Sequence, residues 1–469
     1  MEMKLFDTKK TLELEKKIKN KGTDLFLLML RAGNEIIKIC DKYKYKKIIS
    51  IAGPGNNGGD ALAASFFGLL NHKEIISINL TRKNSYSSKL ILLLKSINAI
   101  INKKLPPIKK INKDFIIIDG ILGIGLNRPP EGKVLSAINW INKAKIRGAK
   151  IISIDVPSGL NADIGVAYKS SVNASSTMMC LSPKKGCYTG DGLIKSGDLL
   201  YNSLNIDINK FSVKSDDYLL DTTQDFQLER NNLGYKGSFG SVLIIGGWDG
   251  MEGAANLCAK SAFKTGAGKV FLCNNNPTKK IDEVIHIKPE KKDIKRIIDK
   301  INVIVAGPGI DNNGFELLNY IWNAKVPLVL DADALIWLAN NFKKKRKELL
   351  ICTPHNGEAK ELLKKSFKNR FNAITQLKNI YGGNWILKGP GTLIQEKKLY
   401  VNNFANSILS TAGTGDILAG IIGGLIAQKI KEPLKTAVSI QTRCAKRILI
   451  DKKTIRASEL IEEISRVLL

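Results

Sequence analysis

The sequence predicts an α/β protein made of two parallel-sheet domains. Three observations carry that expectation. Short apolar runs of strand length alternate with stretches of helical apolar spacing, the pattern of a sheet covered on both faces. The runs end in Gly, Asp, Pro or Lys, and in such sheets ligands sit beyond the carboxyl ends of the strands. Between two series of this kind the pattern lapses into polar, acidic and amide-rich sequence over residues 205–232. A chain of 469 residues has room for two to three domains. The boundary is placed near 212–225, giving domains at 1–215 and 225–469. No internal repeat links them, so two different α/β domains are expected.

In chain order, residues 11–40 read as two helical stretches, the second (LFLLMLRAGNEIIKI) apolar enough to be buried. Strands are expected at 47–52, 74–80, 115–119 and 150–155, with a helix at 61–70. The second series places strands at 241–246, 269–273, 302–306, 328–331, 350–353 and 385–388. An apolar helix follows STAGTGDILAG.

Composition narrows the class. With 44% hydrophobic and 25% charged residues the chain is ordinary for a globular protein. Seven cysteines without a CxxC pair indicate neither a zinc site nor a disulfide framework, so a reducing, cytoplasmic setting is expected. The start, MEMKLFDTKK, lacks a signal-peptide core. No run approaches the ~18 apolar residues that span a membrane. The net charge of +30 comes from lysine spread along the whole chain with abundant isoleucine and asparagine, as AT-rich coding produces. Nucleic-acid binders cluster their basic residues instead, so no dedicated nucleic-acid partner is expected.

IAGPGNNGGDALAASFFG sits on a strand-to-helix turn, where free N–H groups and a helix dipole favour an anion. It formally matches the dinucleotide fingerprint GxGxxG. The next strand, however, runs into Thr81, Arg82 and Lys83 rather than the carboxylate that fingerprint expects. FIIIDGILGIGLNR ends a strand at Asp119 and IISIDVPSGLNADIG ends one at Asp155, followed by Ser158. Oxygen ligands alone suit a hard cation or a sugar–phosphate. A single Asp at a strand end is more often a helix cap than a catalyst, and Asp155 is open to that reading.

GPGNNGGD, DGILGIGLNRP and SIDVPSGLNADIG, with LMLRAG before them, together resemble the NAD(P)H-hydrate epimerase domain over residues 10–210. The resemblance implies a Rossmann-like three-layer αβα fold that interconverts the C6 epimers of hydrated NADH or NADPH. By position, Asn56, Asn57, Gly58, Gly59 and Asp60 would line the substrate, as would Gly123, Ile124, Gly125, Leu126, Asn127, Arg128 and Pro129. Asn57, Asp119 and Ser158 resemble the family's potassium site, and Asp155 its acid/base. Ala61 stands where the family usually has glycine, Ile124 where it has threonine, and Leu30 where glutamate is common.

In the second domain, Gly413, Gly415 and a helix start would present N–H groups to a phosphate, with Asp416 in the first turn ready to accept a proton. Phosphoryl transfer is mostly positioning and charge neutralisation, so this device suffices in outline. An N-cap with an ordinary first-turn acid is the bland alternative. TPHNGE puts His355, one of three histidines, on a strand-to-helix turn. His72 and His286 read as surface residues. GSVLIIGG, GMEGAANL, AGPG, LDADAL, TPHNGEA, LKGPGT and AGTGD, in that order, resemble the ADP-dependent NAD(P)H-hydrate dehydratase over residues 225–469. The resemblance implies a ribokinase-like α/β domain. Ala254, Gly309, His355 and Asp416 then match substrate contacts, with Asp416 the general base. Lys388, Gly389, Pro390, Gly391, Thr392 and Gly415 match the nucleotide site. Ile310 and Asp311 follow AGPG where a further glycine is frequent, and Asn356 replaces a proline.

The combined reading is a bifunctional nicotinamide-nucleotide repair protein. Its substrates would be NADHX and NADPHX, its co-substrate ADP with magnesium, and its epimerase cation potassium. A homo-oligomer without membrane attachment is expected. A small-molecule kinase for a vitamin or sugar, fused to a nucleotide-binding module, and an RNA-associated protein are the other readings left open.

Overall fold

A computed structural model describes residues 2–80, 85–224, 226, 233–275, 281–405 and 407–468. Thr81–Lys83 and, in the interdomain stretch, residues 225 and 227–232 lie outside the described residues. The chain divides into two compact units, Met3–Tyr218 and Leu219–Leu469, the second joined by Glu2.

The first unit contains β1 (Lys47–Ala52), β2 (Ile75–Asn79), β3 (Ile101–Asn102), β4 (Phe115–Gly120), β5 (Lys150–Ile154), β6 (Ser176–Cys180) and β7 (Asp198–Asn202). They form a sheet in the order β3-β2-β1-β4-β5-β6-β7, every pairing parallel. The chain winds outward from β1 to β3, then returns to β4 on the other side of β1. The reversal opens a crevice between the ends of β1 and β4.

Successive strand residues serve opposite cores. Ile116 and Ile118 of β4 join Leu28, Ile36 and Leu62 from the helices Leu25–Cys40 and Asn56–Leu70. Ile117 joins Ile138 and Ile141 of the helix Gly132–Ile146. A strand buried on both faces reads as an unbroken apolar run, which is why FIIID and KIISIA are so legible. Each such isoleucine contributes about 1.5–3 kcal/mol by leaving water. The glycine of LMLRAG has a packing role: a Cβ on Gly33 would lie 2.5 Å from the backbone of Ala63.

β8 (Asp217–Leu219) straddles the boundary between the units; with β9 (Ser241–Ile245), β10 (Lys269–Cys273), β11 (Ile285–Ile287), β12 (Val303–Ala306), β13 (Leu328–Leu330), β14 (Leu350–Cys352), β15 (Asn384–Leu387), β16 (Leu393–Gln395) and β17 (Leu399–Val401) of the second unit it follows the order β11-β10-β9-β12-β13-β14-β15-β16-β17-β8. Pairing is parallel from β11 to β15 and antiparallel through β15, β16 and β17. The helix Thr414–Ala427 packs against β9, β12 and β13 and against the helix Glu252–Lys264. Its glycines permit that approach: a Cβ on Gly420 would lie 2.2 Å from Cys258 O, and one on Gly424 2.7 Å from Ala262 O.

All ten strands read from the sequence are present, with ends shifted by at most one residue. The sequence reading omits β3, β6, β7, β8, β11, β16 and β17, which are short or carry Ser, Thr, Asn and Gln. His286 also departs from expectation: it lies on β11, half-buried, with both ring nitrogens shielded from solvent. His72 is exposed, as expected. No described helix is long and apolar enough to cross a membrane.

Candidate active sites

In the first unit the site is built at three neighbouring strand ends. β1 stops at Ala52, and Gly53–Gly55 turn the chain into a helix whose N-cap is Gly55. That helix begins at Asn56, five residues earlier than the apolar spacing suggested, so NNGGD is its first turn. Glycine makes the tight start possible. A Cβ on Gly58 would lie 2.1 Å from Gly53 O, and one on Gly53 would lie 1.9 Å from Ile121 O. The buried Asn57 side chain crosses the crevice, its Nδ2 donating to Leu122 O at 2.9 Å.

Asp119, at the end of β4, has no exposed surface. Its carboxylate accepts from Ser153 Oγ at 2.8 Å, Ser158 N at 2.9 Å, Ser158 Oγ at 2.5 Å and Ile121 N at 3.3 Å. Burial pushes the carboxyl above its ordinary range, and these donors oppose the shift. Ser158 Oγ in turn accepts from Leu122 N at 2.8 Å. Asn57, Asp119 and Ser158 thus meet around the backbone of Leu122, an oxygen-rich cluster.

Asp155 follows β5 in a left-handed conformation, φ 67°, which Asp tolerates better than most residues. Its carboxylate does not cap a helix. Oδ1 accepts from Cys180 N at 3.1 Å and from the ammonium of Lys184. Lys184 is 1% exposed, and its Nζ also donates to Cys180 O at 2.5 Å. Phe6 N bonds Pro183 O at 2.8 Å and Lys185 N bonds Phe6 O at 3.0 Å, which fixes the backbone around Lys184.

These groups face a cavity of about 500 Å³. Asn56, Asn57, Asp60, Gly123–Leu126 and Asp155 line it, as does the unforeseen pair Glu15 and Lys184. Gly58, Gly59, Asp119 and Ser158 are not among its lining residues, and neither are Asn127, Arg128 and Pro129. Burial, reinforced by Asp155 and Glu15, holds the Asp60 carboxyl well above its usual range; burial and Asp155 raise Glu15 as well. The cavity therefore sets one lysine among carboxyl groups that favour retaining protons. Lys184 escaped the sequence reading because it sits in a non-periodic stretch, in a chain with 73 Lys and Arg residues.

In the second unit, Gly413 caps the helix Thr414–Ala427 at φ 93° and Asp416 occupies its first turn. Beside it lies an ion pair the sequence did not disclose. Lys388 Nζ is 2.6 Å from Asp331 Oδ1, which also accepts from Thr353 Oγ1 at 2.8 Å. Asp331 is 1% exposed. Burial works against the Lys388 charge, but Asp331 and Glu358 outweigh it and raise the ammonium. For Asp416, burial first and then the Asp331 charge push the carboxyl up to about 7, against the pull of Lys388.

His355 is the N-cap of the helix Asn356–Leu363. Its Nδ1 accepts from Gly357 N at 2.9 Å and Glu358 N at 3.1 Å, so a proton on the neutral ring sits on Nε2. Glu358 returns the bond, accepting from His355 N at 2.7 Å. Asn356 at the first helical position replaces a residue type common there without disturbing the cap. Ala254 and Gly309 are neighbours: a Cβ on Gly309, at φ 64°, would lie 3.4 Å from the Ala254 Cβ. Asp311 caps the turn Asn312–Gly314 through Asn313 N and Gly314 N. Among the described residues no cluster of His, Cys, Asp and Glu is arranged as a metal centre.

Residues 242–466 match the family described as NAD(P)H-hydrate dehydratase, and residues 26–186 match the YjeF-related protein N-terminus. A protein of Coxiella burnetii named bifunctional NAD(P)H-hydrate repair enzyme is 33% identical over 449 residues, covering 91% of this chain and 90% of that protein. One of the same name from Dictyoglomus turgidum is 31% identical over 468 residues, covering 91% and 90%. A crystal structure of ADP/ATP-dependent NAD(P)H-hydrate dehydratase from Bacillus subtilis aligns with 52% of this chain and 93% of that one, at 26% identity and a TM-score of 0.46. With a relative this similar across both units, the chain belongs to the family of bifunctional NAD(P)H-hydrate repair enzymes.

Proposed function

We propose that the first unit epimerises the R and S hydrates of NADH and NADPH and that the second dehydrates the S form at the expense of ADP. What carries the reading is the position of Asp416, a half-buried carboxyl pushed up to about 7 in the first turn of a glycine-started helix. In the first unit, Asp155 gives a proton to the C6 hydroxyl, which leaves as water, and takes one back as water re-adds to the other face of the ring, while Lys184 holds that carboxylate in place. The Asn56–Asp60 helix start and the Gly123–Leu126 loop receive the substrate.

In the second unit, Asp416 takes the C6 hydroxyl proton as that oxygen attacks the terminal phosphorus of ADP, breaking the bridging P–O bond and releasing AMP. Phosphate then departs with the C6–O bond, and loss of a proton from C5 restores the ring double bond. The amides at the helix start hold the phosphoryl group, and the Lys388–Thr392 turn holds the nucleotide. Magnesium, present with ATP in the Bacillus subtilis structure named above, would neutralise nucleotide phosphate charge.

The oxygen-rich cluster of Asn57, Asp119, Ser158 and Leu122 O suits a hard monovalent cation, and potassium there would offset the buried Asp119 charge. The spread of lysine along the chain favours a small-molecule enzyme over a nucleic-acid binder. A mixture of both epimers with ADP tests the whole reading. Complete recovery of reduced-nicotinamide absorbance with release of inorganic phosphate is expected; a stable phosphorylated product would instead make the second unit a kinase.

A further inference from the structure

The helix Arg370–Tyr381 opens on an arginine that is 6% exposed. Its guanidinium reaches four backbone carbonyls of one turn. Nη1 donates to Pro390 O at 2.5 Å and Gly391 O at 2.9 Å; Nη2 donates to Leu387 O at 3.0 Å and Lys388 O at 3.1 Å. A planar fork can satisfy such a crescent, and an ammonium group cannot. The turn needs glycine on either side of Pro390, with Gly389 at φ 130° and Gly391 at φ 65°. No peptide bond among the described residues is cis. In a trans peptide the C=O and the following N–H point in opposite directions. Drawing the carbonyls of Lys388 and Gly391 onto Arg370 therefore turns the amides of Gly389, which is exposed, and Thr392, which is half-buried, away from it. Burial lowers the guanidinium only to about 10, so it stays charged at neutral pH.

We propose that Arg370 is a positioning residue for the nucleotide: it gathers four carbonyls so that the Gly389 and Thr392 amides, backed by a buried positive charge, face the phosphate. The proposal rests on the assignment of Lys388–Thr392 as the nucleotide turn. The conformation of the turn is thus set from a helix that starts some twenty residues earlier in the sequence.

Calorimetric titration of the full chain with ADP and magnesium tests it, using wild type, Arg370→Lys and Arg370→Met. Expected is a rise in the ADP dissociation constant of about tenfold or more for Arg370→Met, with a smaller rise for Arg370→Lys. The KM for the S hydrate should stay near wild type, and added guanidinium should restore ADP affinity to Arg370→Ala. Unchanged ADP affinity in a folded Arg370→Met protein overturns the proposal. So does an equal loss of hydrate and ADP binding, which marks a merely structural arginine. Should Arg370→Met fail to fold, Arg370→Lys decides, because an ammonium keeps the charge but cannot gather four carbonyls. Weakened ADP binding in that variant supports the clamp, and normal binding refutes it. The underlying assignment has its own readout: hydrogen exchange of wild type with ADP should protect the Gly389 and Thr392 amides, and protection confined to another loop removes the assignment itself.

Discussion

Lys388 Nζ lies 2.6 Å from Asp331 Oδ1, and a Cβ built on Gly415 would sit 3.2 Å from the same nitrogen. The ion pair therefore abuts the helix turn that carries Asp416. Asp331 raises the Asp416 carboxyl and Lys388 lowers it, after burial has raised it most. Replacing Asp331 by Asn removes a negative charge and leaves the ammonium with only the Glu358 carboxylate, 4.0 Å away, opposite it, and both changes lower the Asp416 pKa. A general base works deprotonated, so wild-type dehydration should rise with pH through about 7. In Asp331→Asn that acid limb should move down by about one pH unit. The kcat/KM profile on S hydrate shows it; a stationary or upward-shifted limb means that the pair does not tune Asp416.

Asp416→Asn should lower dehydration by about 10²–10⁴-fold while epimerisation persists, because the amide keeps the shape and loses the base. Near-normal turnover would sink the assignment. The same substitution has a stability signature. The folded-state carboxyl titrates at about 7, above its ordinary 3.8, so the folded protein binds the extra proton between those values. Its contribution is complete below the lower value and lost as pH rises through the upper one. The Tm of Asp416→Asn relative to wild type should therefore be higher at about pH 8 than at about pH 4. A difference independent of pH would contradict the raised carboxyl.

The strands that frame both sites were readable because a strand buried on two faces leaves an unbroken apolar run, as in FIIID and SVLII. The glycine turns were readable because Gly53 and Gly58 have no room for a side chain. Asp331 was visible as the end of an apolar strand, yet nothing local announced that its partner would be Lys388, 57 residues on. Lys184 and Arg370 were hidden for the same reason. Each meets its partners through the sheet order or a helix docking, and single-sequence periodicity records only neighbours along the chain. The start of the helix at Asn56 was missed because its first turn is built from Asn and Gly, poor helix formers held there by tertiary contacts.

Asp155→Ala should stop enzymatic epimerisation while leaving dehydration of pure S hydrate intact. Lys184→Met should also stop it, and should cost stability, because it leaves the Asp155 carboxylate without its cation. Breaking a buried pair from one side costs about 3–5 kcal/mol. The double variant Asp155→Asn with Lys184→Met should recover much of that stability and none of the activity. Chemical denaturation beside an epimer-exchange assay separates the two effects. Normal epimerisation in folded Lys184→Met would confine Lys184 to packing.

ADP should support dehydration better than ATP. The second unit has no GxxxxGK[ST] loop, so nothing wraps a triphosphate in a P-loop cradle. Between Asp416 and the Lys388–Thr392 turn, the one lysine is already committed to Asp331. In the proposed arrangement the amides of the helix start receive the terminal phosphoryl, and the turn that Arg370 gathers receives the nucleotide. Two fixed anchors define a span, and a diphosphate and a triphosphate cannot both place their last phosphorus at Asp416 from the same adenosine position. ATP would have to shift its adenosine outward and lose contacts with the turn, which a kcat/KM ratio of about tenfold in favour of ADP would register. Wild type and Arg370→Lys should be compared on S hydrate with each nucleotide. Loosening the turn should narrow the preference. A clear ATP advantage in wild type would show that the span fits three phosphates, and the prediction would be wrong.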